Sequence, residues 1–224
     1  MKIFVVVPAY NEEKTIAKVI LDLMKMGFEI VVVDDGSTDN TFNIVRNIIK
    51  EKKRGTLCEH LLNRGLGGAI RTGIEAALIE DPDVIVTFDA DGQHDSQDIL
   101  NISKPIINNE ADVVVGKRNF EEMPSSKKFG NEIMNIITLI FYGIKVNDSQ
   151  SGLRAFNKKA AETIIINARD YGVSSEIIGE IKRHNLRLKE VPIKTIYTDY
   201  SMTKGTNTNE GLKILVKLIM NILK

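Results

Sequence analysis

The sequence predicts one α/β domain, a mostly parallel β-sheet with helices on both of its faces. Short apolar runs, rich in β-branched residues, alternate along the chain with longer segments whose apolar residues recur at helical spacing. Because the short runs are apolar at consecutive positions, they are typical of strands buried on both faces. With 224 residues, of which 43% are hydrophobic, the chain can bury one sizeable core without disulfides or a structural metal.

The predicted elements follow one another in a regular order. Strands are predicted over residues 3–7, 30–33, 57–62, 84–88, 113–115, 151–156 and 186–196. Helices are predicted over residues 12–25, 38–50, 66–79, 96–107, 132–144, 158–166, 174–184 and 211–224, with a polar loop over 197–209. Pro192 suggests that the last strand lies at an edge of the sheet. Since no repeat or linker interrupts the pattern, residues 1–224 are predicted to form a single domain.

Composition excludes several classes of protein. Thirty basic residues balance thirty acidic ones, which argues against a general nucleic-acid binder. Cys58 is the only cysteine, so a disulfide-stapled secreted domain is excluded. The N-terminus lacks a signal-peptide core, and no stretch reaches the roughly 18 apolar residues of a membrane span. The expected location is the cytoplasm, with peripheral attachment to the cytoplasmic face of the membrane left open.

Polar clusters follow four of the predicted strands. They occupy residues 8–12, 34–39, 89–94 and 116–118 and supply carboxylates, an aromatic ring and cations. Right-handed crossovers should bring the carboxyl end of every strand to one edge of the sheet. Ligands of open α/β sheets bind outside these ends, so the four clusters predict one shared binding site.

Asp89 and Asp91 are the predicted metal ligands of this site. Two carboxylates two positions apart, directly after a strand, can converge on one hard cation, and Gln93 offers a third oxygen. Oxygen ligands favour Mg²⁺ or Mn²⁺, with substrate phosphates and water completing the coordination. The alternative is an Asp-rich turn in which the aspartates only cap the loop.

Glycines 65, 67 and 68 have two interpretations. The chain contains neither the G-x-G-x-x-G dinucleotide fingerprint nor a P-loop. The glycines open a predicted helix, where they would either allow close packing or form a backbone cradle for a phosphate.

Six motifs, taken in order, resemble a known family. They are VVVPAYNEEKTI, VVVDDGSTDNT, NRGLGGAIRTGIEAA, TFDADGQHDSQDI, VVVGKR and DSQSGLRAF. The ordered set is similar to the inverting glycosyltransferases of family two, which have the nucleotide-sugar-binding GT-A fold. The nearest branch resembles the dolichol-phosphate mannose synthases. The resemblance implies a nucleotide-binding half over about residues 1–118 and an acceptor half over about 119–224.

The resemblance also implies roles for the donor-side residues. The nucleobase and ribose pocket would be lined by Pro8, Tyr10 and Glu12, with Asp34 or Asp35 bonding the base or ribose. The cation on the donor diphosphate would be held by Asp89, Asp91 and Gln93, and Asp89 would also contribute to nucleotide-sugar binding.

Further motifs imply roles on the acceptor side. Lys117 and Arg118, together with Ser151, would meet an acceptor phosphate. The family element D-x-x-S-G-F-R is matched near the reacting centre by Asp148, Ser151, Gly152 and Arg154, with Leu153 in place of Phe. Glu176 falls where relatives have an acidic general base. The catalytic set implied by the resemblance is Asp91, Asp148, Arg154 and Glu176.

The predicted function is metal-dependent, inverting transfer of a hexose or N-acetylhexosamine from a UDP- or GDP-linked sugar to dolichyl or polyprenyl phosphate. A lipid phosphate is already a nucleophile, whereas a sugar hydroxyl needs a general base. The site offers several cations, which favour a phosphate as the acceptor: Lys117, Arg118 and Arg154, together with Arg64 and Lys204.

Two alternatives stay open. One is transfer to a sugar hydroxyl in surface-polysaccharide synthesis, and the other is a non-catalytic nucleotide-sugar-binding subunit of a membrane complex. The apolar helix 211–224 would contact a membrane surface, a small membrane partner, or the protein core.

Overall fold

The computed structural model describes residues 1–121, 123, 125–169 and 172–196. The predicted loop 197–209 with Lys204, and the predicted helix 211–224, lie outside the described residues. The strands are β1 Ile3–Ala9, β2 Glu29–Asp34, β3 Thr56–Glu59, β4 Val84–Thr87, β5 Val113–Arg118, β6 Arg154–Asn157 and β7 Leu188–Ile193. The helices are α1 Ile16–Lys25, α2 Thr41–Lys52, α3 Gly65–Leu78, α4 Asp98–Ile107, α5 Ser125–Tyr142, α6 Lys158–Thr163 and α7 Val173–Arg183.

The strands form one sheet in the order β3-β2-β1-β4-β6-β5-β7. Neighbouring strands are parallel except at β6, which runs antiparallel to both β4 and β5. The mostly parallel sheet is therefore confirmed, as is the edge position of the strand that contains Pro192. The prediction that every strand ends at one edge is wrong for β6. The segment between β5 and β6 returns to the edge of the sheet at which β5 ends. β6 therefore starts at that edge and runs antiparallel to β5.

Helices cover both faces of the sheet, as predicted. Alternate residues of β1 separate the two cores, since Val5 packs on one face and Val6 on the other. On the first face, the apolar sides of α1, α2 and α4 are buried. On the second face, α3, α6 and α7 pack against the sheet. This continuous burial explains why the central strands are apolar at consecutive positions.

Helix α5 begins before its predicted start and is only partly buried. One side contacts α7, where the Thr138 hydroxyl bonds to Ser175. The other side leaves Phe129, Ile136 and Ile140 more than half exposed. Within the described ranges, no helix combines the length and apolarity needed to cross a bilayer.

Candidate active site

The loops after β1 and β2 are joined into one unit at the carboxyl edge of the sheet. The Asn11 backbone N–H donates to Ser37 Oγ at 3.0 Å, and the Asn11 side-chain oxygen accepts from the Thr38 N–H at 2.8 Å. The Glu12 N–H donates to Thr41 Oγ1 at 2.8 Å. The structure thus brings together the two loops predicted to line the nucleotide pocket.

Three predicted pocket residues differ in their access to solvent. Pro8 is buried in β1, whereas the Tyr10 ring is 44% exposed at the end of the strand. Glu12 is buried, and one of its carboxylate oxygens accepts from the Thr15 hydroxyl at 3.0 Å. Of the three, Tyr10 offers the most open surface on which a flat ring could stack.

The structure distinguishes Asp35 from Asp34, which the sequence leaves as alternatives. The Asp35 carboxylate is bonded to His60 Nδ1 at 2.6 Å and accepts the Gly65 N–H at 2.9 Å. One Asp34 oxygen accepts from the Ser37 N–H at 3.1 Å, and the other is buried with no hydrogen-bond partner among the described residues. Asp35 therefore anchors the start of α3, whereas Asp34 has one oxygen that no described residue contacts through a hydrogen bond.

The glycines at the start of α3 serve close packing. The Gly67 N–H donates to the Arg169 carbonyl at 3.0 Å. A Cβ at Gly67 would overlap the Ala168 carbonyl oxygen. Since the N–H groups of Gly65 and Gly67 are bonded within the protein, the phosphate cradle considered from the sequence is not formed by them.

Asp89 and Asp91 follow β4 and each has a partner from their own loop. His94 Nε2 lies 3.2 Å from an Asp89 oxygen. The Gln93 backbone N–H donates to Asp91 at 2.9 Å, and the Gln93 side-chain amide donates to the other Asp91 oxygen. Gln93 therefore holds Asp91 through its amide nitrogen here, which differs from the expectation that its oxygen binds the cation.

The two aspartates have pKa values displaced in opposite directions. Burial raises the pKa of Asp89, but the hydrogen bond from His94 and the positive charges of His94 and Arg154 outweigh burial, so the pKa lies below its usual value. Burial, together with the negative charge of Asp89, raises the pKa of Asp91. The surroundings thus favour the charged form of Asp89 and disfavour that of Asp91, because the two carboxylates repel each other.

The repulsion between these two carboxylates fits a divalent cation, which would relieve it. In the described part of the chain, no group of three or more His, Cys, Asp or Glu side chains could hold a metal. A cation bound by Asp89 and Asp91 would therefore take its other ligands from a diphosphate and water, as is common for Mg²⁺.

Gly152 permits the close approach of the loop before β6 to Asp89. A Cβ at Gly152 would overlap the Asp89 carboxyl group. The Gly152 carbonyl accepts from the Thr87 hydroxyl at 2.8 Å, which fixes the loop to the end of β4. This contact brings the predicted acceptor-side element against the predicted metal ligands.

Arg154 places a buried positive charge beside this contact. Its side chain is 1% exposed and donates to the Ser149 carbonyl at 3.1 Å and to Ser174 Oγ at 2.8 Å. Arg154 Nε has no hydrogen-bond partner within the described residues. Burial lowers the pKa of Arg154 to about 10, so the guanidinium stays charged at neutral pH.

Arg118 is paired with Asp148. Its Nε and one terminal nitrogen each lie 2.7 Å from a different Asp148 oxygen, a two-pronged contact with a fully buried carboxylate. The pair fixes the loop that carries Ser151, whose hydroxyl is buried with no partner in the described ranges. Lys117 lies half-buried next to Arg118.

Glu176 is occupied by a backbone contact. Its carboxylate accepts the N–H groups of Asn167, at 3.0 and 3.1 Å, and of Ala168, at 2.8 Å. Glu176 thus holds the segment after α6 in place, while the general-base role implied by the resemblance stays a prediction.

Glu190 and Asn135 are positioning residues that sequence reasoning missed. The Glu190 carboxylate accepts from the Asn147 N–H at 2.8 Å and from the Asp148 N–H at 3.1 Å. The Asn135 side-chain oxygen accepts from the Ser149 N–H at 2.9 Å. Both are single polar residues of ordinary type on a strand and a helix, so no pattern in the sequence signals them.

Comparison with known proteins agrees with this geometry. The family model described as glycosyl transferase family 2 matches residues 4–165. An uncharacterized protein of Methanocaldococcus jannaschii is 51% identical over 228 residues, which cover 98% of this chain and 91% of that protein. The UDP-N-acetylglucosamine–dolichyl-phosphate N-acetylglucosaminyltransferase of Methanococcus voltae is 42% identical over 238 residues, covering 97% of this chain and 95% of that enzyme.

The fold is also found in a solved enzyme. The crystal structure of glucosyl-3-phosphoglycerate synthase from Mycobacterium tuberculosis, in complex with Mn²⁺, uridine diphosphate and phosphoglyceric acid, superposes with a TM-score of 0.70 at 20% identity. The match covers 98% of this chain and 78% of that one. The chain therefore belongs to glycosyl transferase family 2 and is a glycosyltransferase with the GT-A fold.

Proposed function

We propose that this enzyme transfers N-acetylglucosamine from its UDP-linked donor to dolichyl phosphate, with inversion at the anomeric carbon and with Mg²⁺ or Mn²⁺ as cofactor. The donor and acceptor follow the name of the Methanococcus voltae relative, which matches nearly the whole chain. Support from the site comes from a carboxylate-rich donor edge and an adjoining cationic acceptor region.

On the donor side, the loops after β1 and β2 would bind the nucleoside. Asp34 has a buried oxygen without a partner among the described residues, and Tyr10 offers an open ring face. Asp89 and Asp91 would hold the cation, and a bound divalent cation stabilises the charge that develops on the leaving diphosphate. His94 would keep the Asp89 carboxylate oriented through the contact already described.

On the acceptor side, one observation favours a phosphate over a hydroxyl. The carboxylate of Glu176, the implied base, is bonded to two backbone N–H groups. A phosphate monoester has its second pKa at about 6, so it attacks without a base, whereas a hydroxyl must lose a proton. The buried cation Arg154 and the Ser151 hydroxyl lie in the loop and strand that face Asp89, where they can attract and orient a phosphate.

A donor and acceptor panel tests the proposal. Purified enzyme with Mn²⁺ is given labelled UDP-N-acetylglucosamine, UDP-glucose or GDP-mannose, with and without dolichyl phosphate. We expect label from UDP-N-acetylglucosamine to enter the organic phase only when dolichyl phosphate is present, and chelation to stop transfer. Label in water-soluble glycans would instead indicate a hydroxyl acceptor, and donor binding without turnover would indicate a binding subunit.

Glu176→Gln separates the two acceptor chemistries. The amide keeps an oxygen that accepts backbone N–H groups but is not a base. We expect transfer to dolichyl phosphate to stay within about threefold of the parent, because general-base loss would cost about 10²–10⁴-fold. Glu162→Gln, an exposed change on α6, is the matched control.

A further inference from the structure

The loop between β3 and α3 exposes two adjacent leucines at the carboxyl edge of the sheet. Leu61 is 92% exposed and Leu62 is 79% exposed. The loop follows β3, and β3 pairs with β2, whose end carries the predicted nucleotide-binding aspartates. The leucines therefore project from the same edge as the candidate active site.

The backbone beneath these leucines is firmly held. His60 is buried and bonded to Asp35 at 2.6 Å and to the Thr72 hydroxyl at 2.9 Å. A Cβ at Gly36 would come within 2.9 Å of the Asn63 nitrogen, so the loop packs directly on the turn after β2. The two leucines are thus presented to solvent by an anchored backbone, which lowers the entropy lost on binding.

Three arginines line a pocket beside the leucines. Arg64, Arg71 and Arg169 surround a depression of about 270 Å³ whose other wall is the segment after α6. Arg169 donates to the Asn63 carbonyl at 3.3 Å, which joins this segment to the leucine loop. Arg64 is exposed, and its guanidinium makes no hydrogen bond or ion pair with the described residues. Arg71 has Glu75 as an ion-pair partner at 3.9 Å.

We infer that Leu61, Leu62, Arg64, Arg71 and Arg169 form a docking surface for an anionic phospholipid bilayer. Aliphatic tips flanked by arginines match a surface whose headgroups are anionic and whose interior is apolar. The inference rests on the proposed function, since an enzyme that uses a lipid phosphate must meet that lipid at a bilayer. Docking at this edge would turn the open side of the site towards the membrane.

Vesicle binding tests the surface apart from catalysis. The full chain, without donor or acceptor, is sedimented with vesicles of phosphatidylcholine alone or mixed with phosphatidylglycerol. The variants are Leu61→Ser/Leu62→Ser and Arg64→Gln/Arg71→Gln/Arg169→Gln. Matched controls remove two exposed apolar residues elsewhere (Ile79→Ser/Leu100→Ser) and three exposed lysines elsewhere (Lys50→Gln/Lys53→Gln/Lys104→Gln).

We expect the parent and both controls to bind phosphatidylglycerol vesicles, and each test variant to bind about tenfold more weakly or worse. Added salt should weaken the parent but hardly affect the arginine variant. Parent binding that equals that of either test variant would overturn the inference. A second result would also overturn it: a parent protein that does not bind vesicles but forms a dimer, which Leu61→Ser/Leu62→Ser dissociates. The surface would then be an interface with a second copy of the chain.

Transfer to dolichyl phosphate in detergent micelles keeps the two proposals distinguishable. With the bilayer removed, the leucine variant, which changes no cation of the acceptor region, should transfer at the parent rate if it has lost only docking. A parent that binds vesicles but transfers nothing would refute the proposed function and leave the docking surface standing.

Discussion

Replacing Gly152 with alanine is expected to disable transfer while leaving the fold intact. The added Cβ would overlap the Asp89 carboxyl group, closer than side chains approach in folded proteins. To regain a C···O separation of about 3.3 Å, the carboxylate must move by roughly 1 Å or more. Because the overlapping group is the end of a side chain, it can rotate away, at a cost of about 1 kcal/mol for a strained rotamer.

The displaced carboxylate would no longer match the donor diphosphate and its cation. A misplacement of about 1 Å can lower a rate by about 100-fold, which equals about 2.7 kcal/mol of transition-state stabilisation. We expect Gly152→Ala to reduce transfer by this factor and to weaken Mn²⁺-dependent UDP binding in calorimetry.

Gly130→Ala is the matched control, because a Cβ at Gly130 meets no atom within 4 Å. Circular dichroism and urea unfolding would verify that both variants are folded. The reasoning is refuted if Gly152→Ala transfers sugar at the parent rate. It is equally refuted if the variant loses activity only because it unfolds. In that case the Asp89 side chain would not have rotated away from the new Cβ.

Three further predictions concern stability. Gly67→Ala should lower the free energy of unfolding by at least about 2 kcal/mol, because the overlapping atom is the Ala168 backbone carbonyl, which cannot rotate away; equal urea midpoints would contradict this. Arg154→Met should destabilise by about 2 kcal/mol, since it leaves the Ser149 carbonyl and the Ser174 hydroxyl, both buried, without their donor; a urea midpoint equal to the parent's would speak against that role. Arg187 holds the pKa of Asp112 at about 2, below its ordinary 3.8, so its stabilisation is present above pH 4 and is lost as the pH falls towards 2. Asp112→Asn should therefore cost about 1 kcal/mol at pH 7 and progressively less below pH 4, and a difference independent of pH would exclude this linkage.

The parallel core could be predicted from the sequence because the pattern of a buried strand is strong and lies within a few consecutive residues. β1, β2, β4 and β5 are apolar at consecutive positions, and the polar residues that follow each of them mark the carboxyl edge. The direction of β6 could not be predicted, since a four-residue strand carries no information about which way it enters a sheet. That direction follows from the path of the connection between β5 and β6, which the Gly152 carbonyl fixes to the end of β4.

For the candidate site, the sequence predicts which residues gather at the carboxyl edge but not which contacts they make there. Asp89 and Asp91 are two positions apart in the chain, so spacing alone places them close together. The partners of Asp35 and Glu176 come from other elements, and periodicity within one segment does not reveal them. The glycines before α3 were ambiguous because close packing and ligand binding require the same absence of a Cβ.

The antiparallel strand β6 also constrains the order in which the protein can fold. Val84 pairs with Asn157 and Thr87 with Arg154. The strand that pairs with β4 on its β6 side is therefore synthesised about seventy residues after β4. A nascent chain that ends within α5 already contains Asp89 and Asp91 but leaves β4 as an open edge, which is prone to aggregation. Pairing over such a distance is a slow step in folding. Because β6 brings Gly152 to Asp89, the pairing of β6 with β4 also assembles the candidate active site.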